Sequence, residues 1–223
     1  MKRIITDTTV GLSGLVGFII TTALVVSGVS QNADLGAALL VNHYDLGSIG
    51  TSLMVLLTSY GREVVWGLTV ITMFLFGSKR TKLLAMELAA LFLIGVLVGD
   101  AAKILIQRAR PDQASGIILR IPAGTDPSYP SGHALIVSIG AAFSLARFRR
   151  KTLAALLALA AGLVCYSRVY VGVHYPLDVA GGVLLGIAIA LNGAVAVEKL
   201  LGPVFEKLLE PIMMVLKTGP LDV

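Results

Sequence analysis

Of the 223 residues, 56% are hydrophobic and only 14% charged, whereas a soluble domain carries about 25% charged residues. With a mean hydropathy of +0.88, the composition excludes an ordinary soluble protein and implies an all-α, polytopic transmembrane bundle with the lipid bilayer as its solvent. The formal charge of +5 does not make nucleic acid a partner, because the basic residues cluster at the ends of apolar runs and not on a polar face.

A window of roughly 20 residues predicts about six spans. The first covers 10–30. Lys2 and Arg3 ahead of it imitate a signal peptide, but the run is as long as a full span and reads as a retained helix. A mixed stretch follows at 31–60, where Asn42, His43, Tyr44 and Asp45 argue against spanning. Further spans are expected at 63–76, 83–106, from His133 to just before Arg147, 152–166 and 176–196. Over 198–217, Leu201, Val204, Phe205, Leu208 and Ile212 fall at helical spacing, interrupted by Pro203 and Pro211. That tail reads as an amphipathic interfacial helix or as a frayed extension. No linker or repeat divides the chain, so one domain over 1–223 is expected. Cys165, the single cysteine, reads as a small buried hydrophobe.

Positive charge sets the orientation. Lys2, Arg3, Lys79, Arg80, Lys82, Arg147, Arg149, Arg150, Lys151 and Lys199 fall on one side of this topology, which is expected to be cytoplasmic, with both termini. The segments holding Arg110, Ser131, His133, Arg168 and His174 then share the extracytoplasmic side.

Those segments form three blocks. In the first, Lys103 and Arg110 are seven residues apart, which predicts one helix face, with Asp100 as an ion-pair partner for Lys103 and Pro111 ending the helix. Both cations suit phosphate oxygens, Arg as a fork and Lys as a point charge, or they simply snorkel at the membrane boundary. The second block, Pro130-Ser131-Gly132-His133, opens the fourth long helix. Ser131 is placed as its N-cap and Gly132 admits a ligand close to the backbone, so the free amides suit an anion. Standing alone, it is also compatible with a capped helix beside an incidental histidine. In the third block Arg168 precedes His174, and Pro176 is expected at the first position of the last helix. Asp178 in that first turn can reach back to the imidazole, fix its tautomer and leave the other nitrogen free.

Together the blocks resemble the tripartite signature of the type 2 phosphatidic acid phosphatase superfamily over 101–178. The resemblance implies that His174 attacks phosphorus and becomes a phosphohistidine, oriented by Asp178, while His133 protonates the leaving oxygen. It further implies that Lys103, Arg110, Arg168, Ser131 and Gly132 hold the phosphoryl oxygens, with no metal and no other cofactor. The expected activity is hydrolysis of a membrane lipid phosphate or diphosphate, a polyprenyl diphosphate being favoured. Phosphatidic acid, phosphatidylglycerophosphate, a phosphotransferase reaction and a non-catalytic lipid-binding protein are the alternatives. His43 with Asp45 is too sparse for a metal site. Arg62 and Glu63 are read as an interfacial ion pair opening the second span, Trp66 and Tyr60 as an aromatic belt, and Glu87 as remote from the blocks.

Overall fold

The computed structural model describes residues 2–215 and 219–223, with side chains over 7–213 and 219–223; Lys2, Arg3 and Lys217 therefore lie outside the described side chains. In a bilayer every backbone polar group must be satisfied within its own segment, so apolar runs fold as helices. Among the described residues seven α-helices form: α1 (Lys2–Ser27), α2 (Gln31–Asn42), α3 (Gly47–Phe76), α4 (Lys79–Ile106), α5 (Gly132–Arg147), α6 (Lys151–Tyr170) and α7 (Pro176–Val215). Asp7–Ser27, Lys79–Ile106, Lys151–Tyr170 and Pro176–Met213 are long and apolar enough to cross a membrane, whereas α5 is apolar but has only 16 residues.

Three expectations need correction. First, α3 begins at Gly47, inside the stretch read as mixed. Its hydroxyls make the stretch look polar, but Thr51 bonds the Tyr170 hydroxyl at 2.7 Å and Thr58 accepts from Arg168 at 2.7 Å, so partners on α6 satisfy them. Arg62 therefore sits in the middle of a helix, although the ion pair with Glu63 is present. Second, Trp66 is only 2% exposed. It packs against Gly140 and edge-on to Phe92, in the core and not in an interfacial belt. Third, the tail does not form a separate helix, because α7 continues through Pro203 and Pro211 to Val215. Phe205 packs on the main core and Leu209 is fully buried, which holds this portion against the bundle.

The α5–α7 contact positions the site. A Cβ at Gly182 would lie 2.6 Å from the Ser131 carbonyl, and one at Gly186 would lie 2.7 Å from that of Leu135. Only glycine at this four-residue spacing lets the two backbones approach so closely. Leu88, Leu91, Leu135, Ile139 and Phe143 fill the core beside that contact.

The two ends of the bundle differ. At one end, buried Lys82 donates to the Phe74 and Leu75 carbonyls at 2.6 and 2.9 Å, closing the C-terminus of α3. There Arg80 donates to the Arg147 carbonyl, and Arg149 pairs with Asp222. Glu87 lies 4.0 Å from Arg147, far from the signature blocks as expected. The other end is roofed by α2 and the long loop between α4 and α5. Buried Asn42 fastens them, donating to the Ile118 and Tyr170 carbonyls and accepting from the Ile118 amide.

Candidate active site

The loop after α4 starts sooner than the helical spacing predicted. The last helical residue is Ile106, and Gln107 turns the chain with a left-handed φ of 53°. Lys103 and Arg110 therefore do not share a helix face. They meet through Asp126: Lys103 Nζ donates to Oδ2, while Arg110 donates to Oδ1 at 2.8 Å and to the Asp126 carbonyl at 2.9 Å. Asp126, not Asp100, is thus the partner of Lys103. Burial alone would raise the Asp126 pKa, but the two cations outweigh it and hold the carboxyl at about 2.

Pro176 opens α7, so His174 falls just before the helix and Asp178 in its first turn. His174 Nδ1 lies 3.4 Å from Asp178 Oδ2, which also accepts from the Tyr175 amide at 2.8 Å and from the Ser128 hydroxyl. On the other side of the ring, Arg110 Nη1 lies 3.2 Å from Nε2 and donates to the Val173 carbonyl at 2.9 Å. These partners are jointly satisfied by the tautomer with the proton on Nδ1 and the lone pair on Nε2. Burial pushes the imidazole pKa down to about 4, against the opposing pull of Asp178. The ring is therefore a free base near neutrality.

Beyond Nε2 lies a cavity of about 360 Å³ lined by Lys103, Arg110, Gly132, His133, Arg168 and His174 among others. Six of the eight predicted site residues thus line one space, while Asp178 stands behind His174 and Ser131 is the N-cap of α5 immediately before Gly132. Ser131 occupies the cap position without making the expected cap bond. Its Oγ is buried with no hydrogen-bond partner, and so is Arg168 Nε. Buried donors normally have partners, and both groups suit the oxygens of an anion. His43 Nε2 donates to the Gly116 carbonyl at 2.9 Å, and Asp45 accepts from the Gly47 amide, so both have local structural roles. Among the described residues, no three His, Cys, Asp or Glu side chains converge as a metal site.

Sequence reasoning missed a supporting layer. Arg108 donates to Asp178 Oδ1 and to Asp34 Oδ2, each at 2.6 Å, and lies 4.3 Å above the Tyr175 ring. Burial disfavours its charge, but Asp178 and Asp34 more than compensate and raise its pKa. Asp34 Oδ1 also accepts from the Leu177 amide at 2.9 Å, tying α2 to the start of α7. The available signal was a third cation in the first block, Arg108, with no role assigned to it. Asp34 gave none, because it lies in the mixed stretch at 31–60, to which no site residue was assigned.

A helical bundle with this histidine–carboxylate pair facing a cationic cavity is the architecture of a membrane phosphoryl-transfer family, and the chain belongs to the PAP2 superfamily, whose family model matches residues 81–200. It is 43% identical to an undecaprenyl-diphosphatase of Sulfolobus acidocaldarius over 148 residues, covering 66% of this chain and 70% of that one. Undecaprenyl-diphosphatase BcrC of Bacillus subtilis is 29% identical over 145 residues, covering 64% and 72%. Among solved structures, a transmembrane PAP2-type phosphatidylglycerolphosphate phosphatase from Bacillus subtilis superposes with a TM-score of 0.68 at 23% identity, covering 85% of this chain and 96% of that one. The resemblance read from the three blocks is thereby confirmed.

Proposed function

We propose that the protein is an integral membrane phosphatase that removes the terminal phosphate of a polyprenyl diphosphate through a phosphohistidine on His174. The observation that carries this is the line Asp178–His174–Arg110, which anchors Nδ1 and presents Nε2 to the cationic cavity. Similarity to two undecaprenyl-diphosphatases supports the substrate class.

In this reading Nε2 attacks the terminal phosphorus, and the bond to the bridging oxygen breaks as His133 supplies the proton to the leaving prenyl phosphate. Water then attacks the phosphohistidine, His133 takes its proton, and breakage of the P–N bond releases inorganic phosphate. Lys103, Arg110, Arg168 and the Ser131-Gly132 turn offset the charge on the phosphoryl oxygens, the role that divalent metal fills in other phosphoryl transferases. The basic residues gathered at the far end of the bundle support a cytoplasmic placement for that end and an extracytoplasmic one for the site.

Phosphate release by purified protein from undecaprenyl diphosphate, phosphatidic acid and phosphatidylglycerophosphate, in EDTA, tests the proposal. The diphosphate is expected to give the highest kcat/KM, vanadate to inhibit, and His174→Ala to abolish turnover in folded protein. Normal turnover by His174→Ala, or a strict need for added divalent metal, would overturn the mechanism; preference for a glycerophospholipid would overturn the substrate.

A further inference from the structure

Arg62 is an expensive residue where it stands. It lies at the middle of α3, a 30-residue helix of an apolar bundle, and ionisable groups inside such bundles are normally functional. Its side chain is 33% exposed, and that exposure opens into two spaces at once. One is the cationic cavity in front of His174. The other is an apolar groove of about 680 Å³ between α3 and α4, lined by Trp66, Val70, Ile71, Phe92 and Leu93. Arg62, Val96 and Ile136 line both, so the groove and the cavity adjoin at Arg62.

Glu63 neutralises only part of this group. Both bonds to Glu63 Oε1 come from Nε and Nη2, and among the described residues Nη1 makes no hydrogen bond. Glu63 itself faces the groove and not the cavity. A donor is thus left over at the junction, while Arg110 and Lys103 already converge on Asp126 near the loop.

A lipid diphosphate has three parts in sequence: a terminal phosphoryl group, a second phosphate and a long apolar chain. The molecule offers three environments in the same order, namely the cradle at His174, the Arg62 junction and the apolar groove. We propose that Arg62 binds the second phosphate, the one that stays with the lipid, and so makes the site selective for diphosphates over monophosphates. On the mechanism above, charge develops on that phosphate as the bridging P–O bond breaks, and Arg62 is the cation placed to receive it. A lipid monophosphate puts its ester oxygen and carbon chain at the same place and gains nothing from the guanidinium.

This inference rests on the phosphatase reading, and the test separates the two. Hydrolysis of farnesyl diphosphate and farnesyl phosphate is measured for the wild type, Arg62→Gln and Arg62→Lys, together with inhibition of monophosphate hydrolysis by inorganic pyrophosphate. Arg62→Gln is expected to lose roughly ten- to hundredfold in kcat/KM on the diphosphate, the scale of one charge-assisted hydrogen bond. On the monophosphate it should stay within about twofold, with Lys giving an intermediate preference and pyrophosphate inhibition weakening in parallel. Equal losses on both lipids, or no loss on either, would overturn the role of Arg62 while leaving the phosphatase reading standing. A wild type inactive on both lipids would overturn the phosphatase reading itself, and this inference with it. If Arg62→Gln does not fold, the Lys variant and the pyrophosphate inhibition decide on the same criteria.

Discussion

Arg108 and Asp178 are bound by a 2.6 Å hydrogen bond between Nη1 and Oδ1, on the carboxylate oxygen that His174 does not use. Oδ2 is committed to His174, Tyr175 and Ser128, so the carboxylate is held on both oxygens before it can orient the ring. The other arm of Arg108 ends on Asp34, which makes α2 part of the apparatus.

Loss of this arm is expected to act through the histidine. Arg108→Gln removes charge-assisted bonds worth about 1.5–3 kcal/mol each, enough for about a ten- to hundredfold fall in kcat with a smaller change in KM. Asp34→Asn is expected to produce a milder version. Steady-state kinetics on the best lipid substrate, with thermal unfolding to confirm a folded protein, checks both.

Acid sensitivity follows from the buried imidazole. On the proposed mechanism His174 must be neutral to attack, and its pKa is pushed down from the ordinary 6.5 to about 4. The acid limb of kcat/KM is therefore expected near pH 4, well below that of a solvent-exposed histidine. Stability carries the matching sign. Between 6.5 and 4 the unfolded chain binds a proton that the folded site refuses, so this group's contribution declines as pH falls through that window. A pH–rate profile and a pH series of unfolding midpoints measure the two effects separately.

Asp126 pairs with Lys103 and Arg110, two of the cations to which the proposed mechanism gives the phosphoryl oxygens. Asp126→Asn is expected to free Lys103 and Arg110 and to lower the inhibition constant for vanadate by about two- to fivefold, the scale of a partly exposed ion pair. The loop should lose order in exchange. Because the folded pKa near 2 lies below the ordinary 3.8, the stabilisation by Asp126 is present above the ordinary value and is lost as pH falls toward 2. Weaker vanadate binding by the variant would show that Asp126 builds the cradle and does not merely occupy it.

The close approach of α5 and α7 predicts damage at a distance from the chemistry. Gly186→Val places atoms against the Leu135 carbonyl, 2.7 Å from even a bare Cβ. Overpacking of this kind costs about 1–3 kcal/mol and should separate His133 from His174. Lower thermal stability together with lower turnover is expected, and Gly202→Ala, where a Cβ meets nothing within 4 Å, serves as the neutral control.

The three blocks were legible because each holds costly residues in an apolar chain, and the bundle brings all of them to one end. What the sequence did not reveal lay in geometry that spacing cannot carry. Lys103 and Arg110 read as one helical face because nothing at Gln107 announces a left-handed turn, glycine or asparagine being the usual signals. The first half of α3 was lost because Ser48, Thr51, Ser52 and Thr58 lower hydropathy, although in the fold Thr51 and Thr58 are satisfied across the helix interface. Asp34 and Asp126 lie far in sequence from their partners Arg108 and Lys103, and only the folded loop and α2 bring them together.

At 16 residues, α5 is about 24 Å long, against about 30 Å of hydrocarbon and about 42 Å for the 28 residues of α4. The Arg147 end of α5 lies beside Arg80 at the start of α4, so the shorter helix stops short of the far end of its neighbour, and the turn where it stops carries His133. The histidine is thereby recessed among the helices and not raised above their ends. Drawing even four methylenes of a lipid chain into water costs about 3 kcal/mol, and a recessed site lessens the need for it.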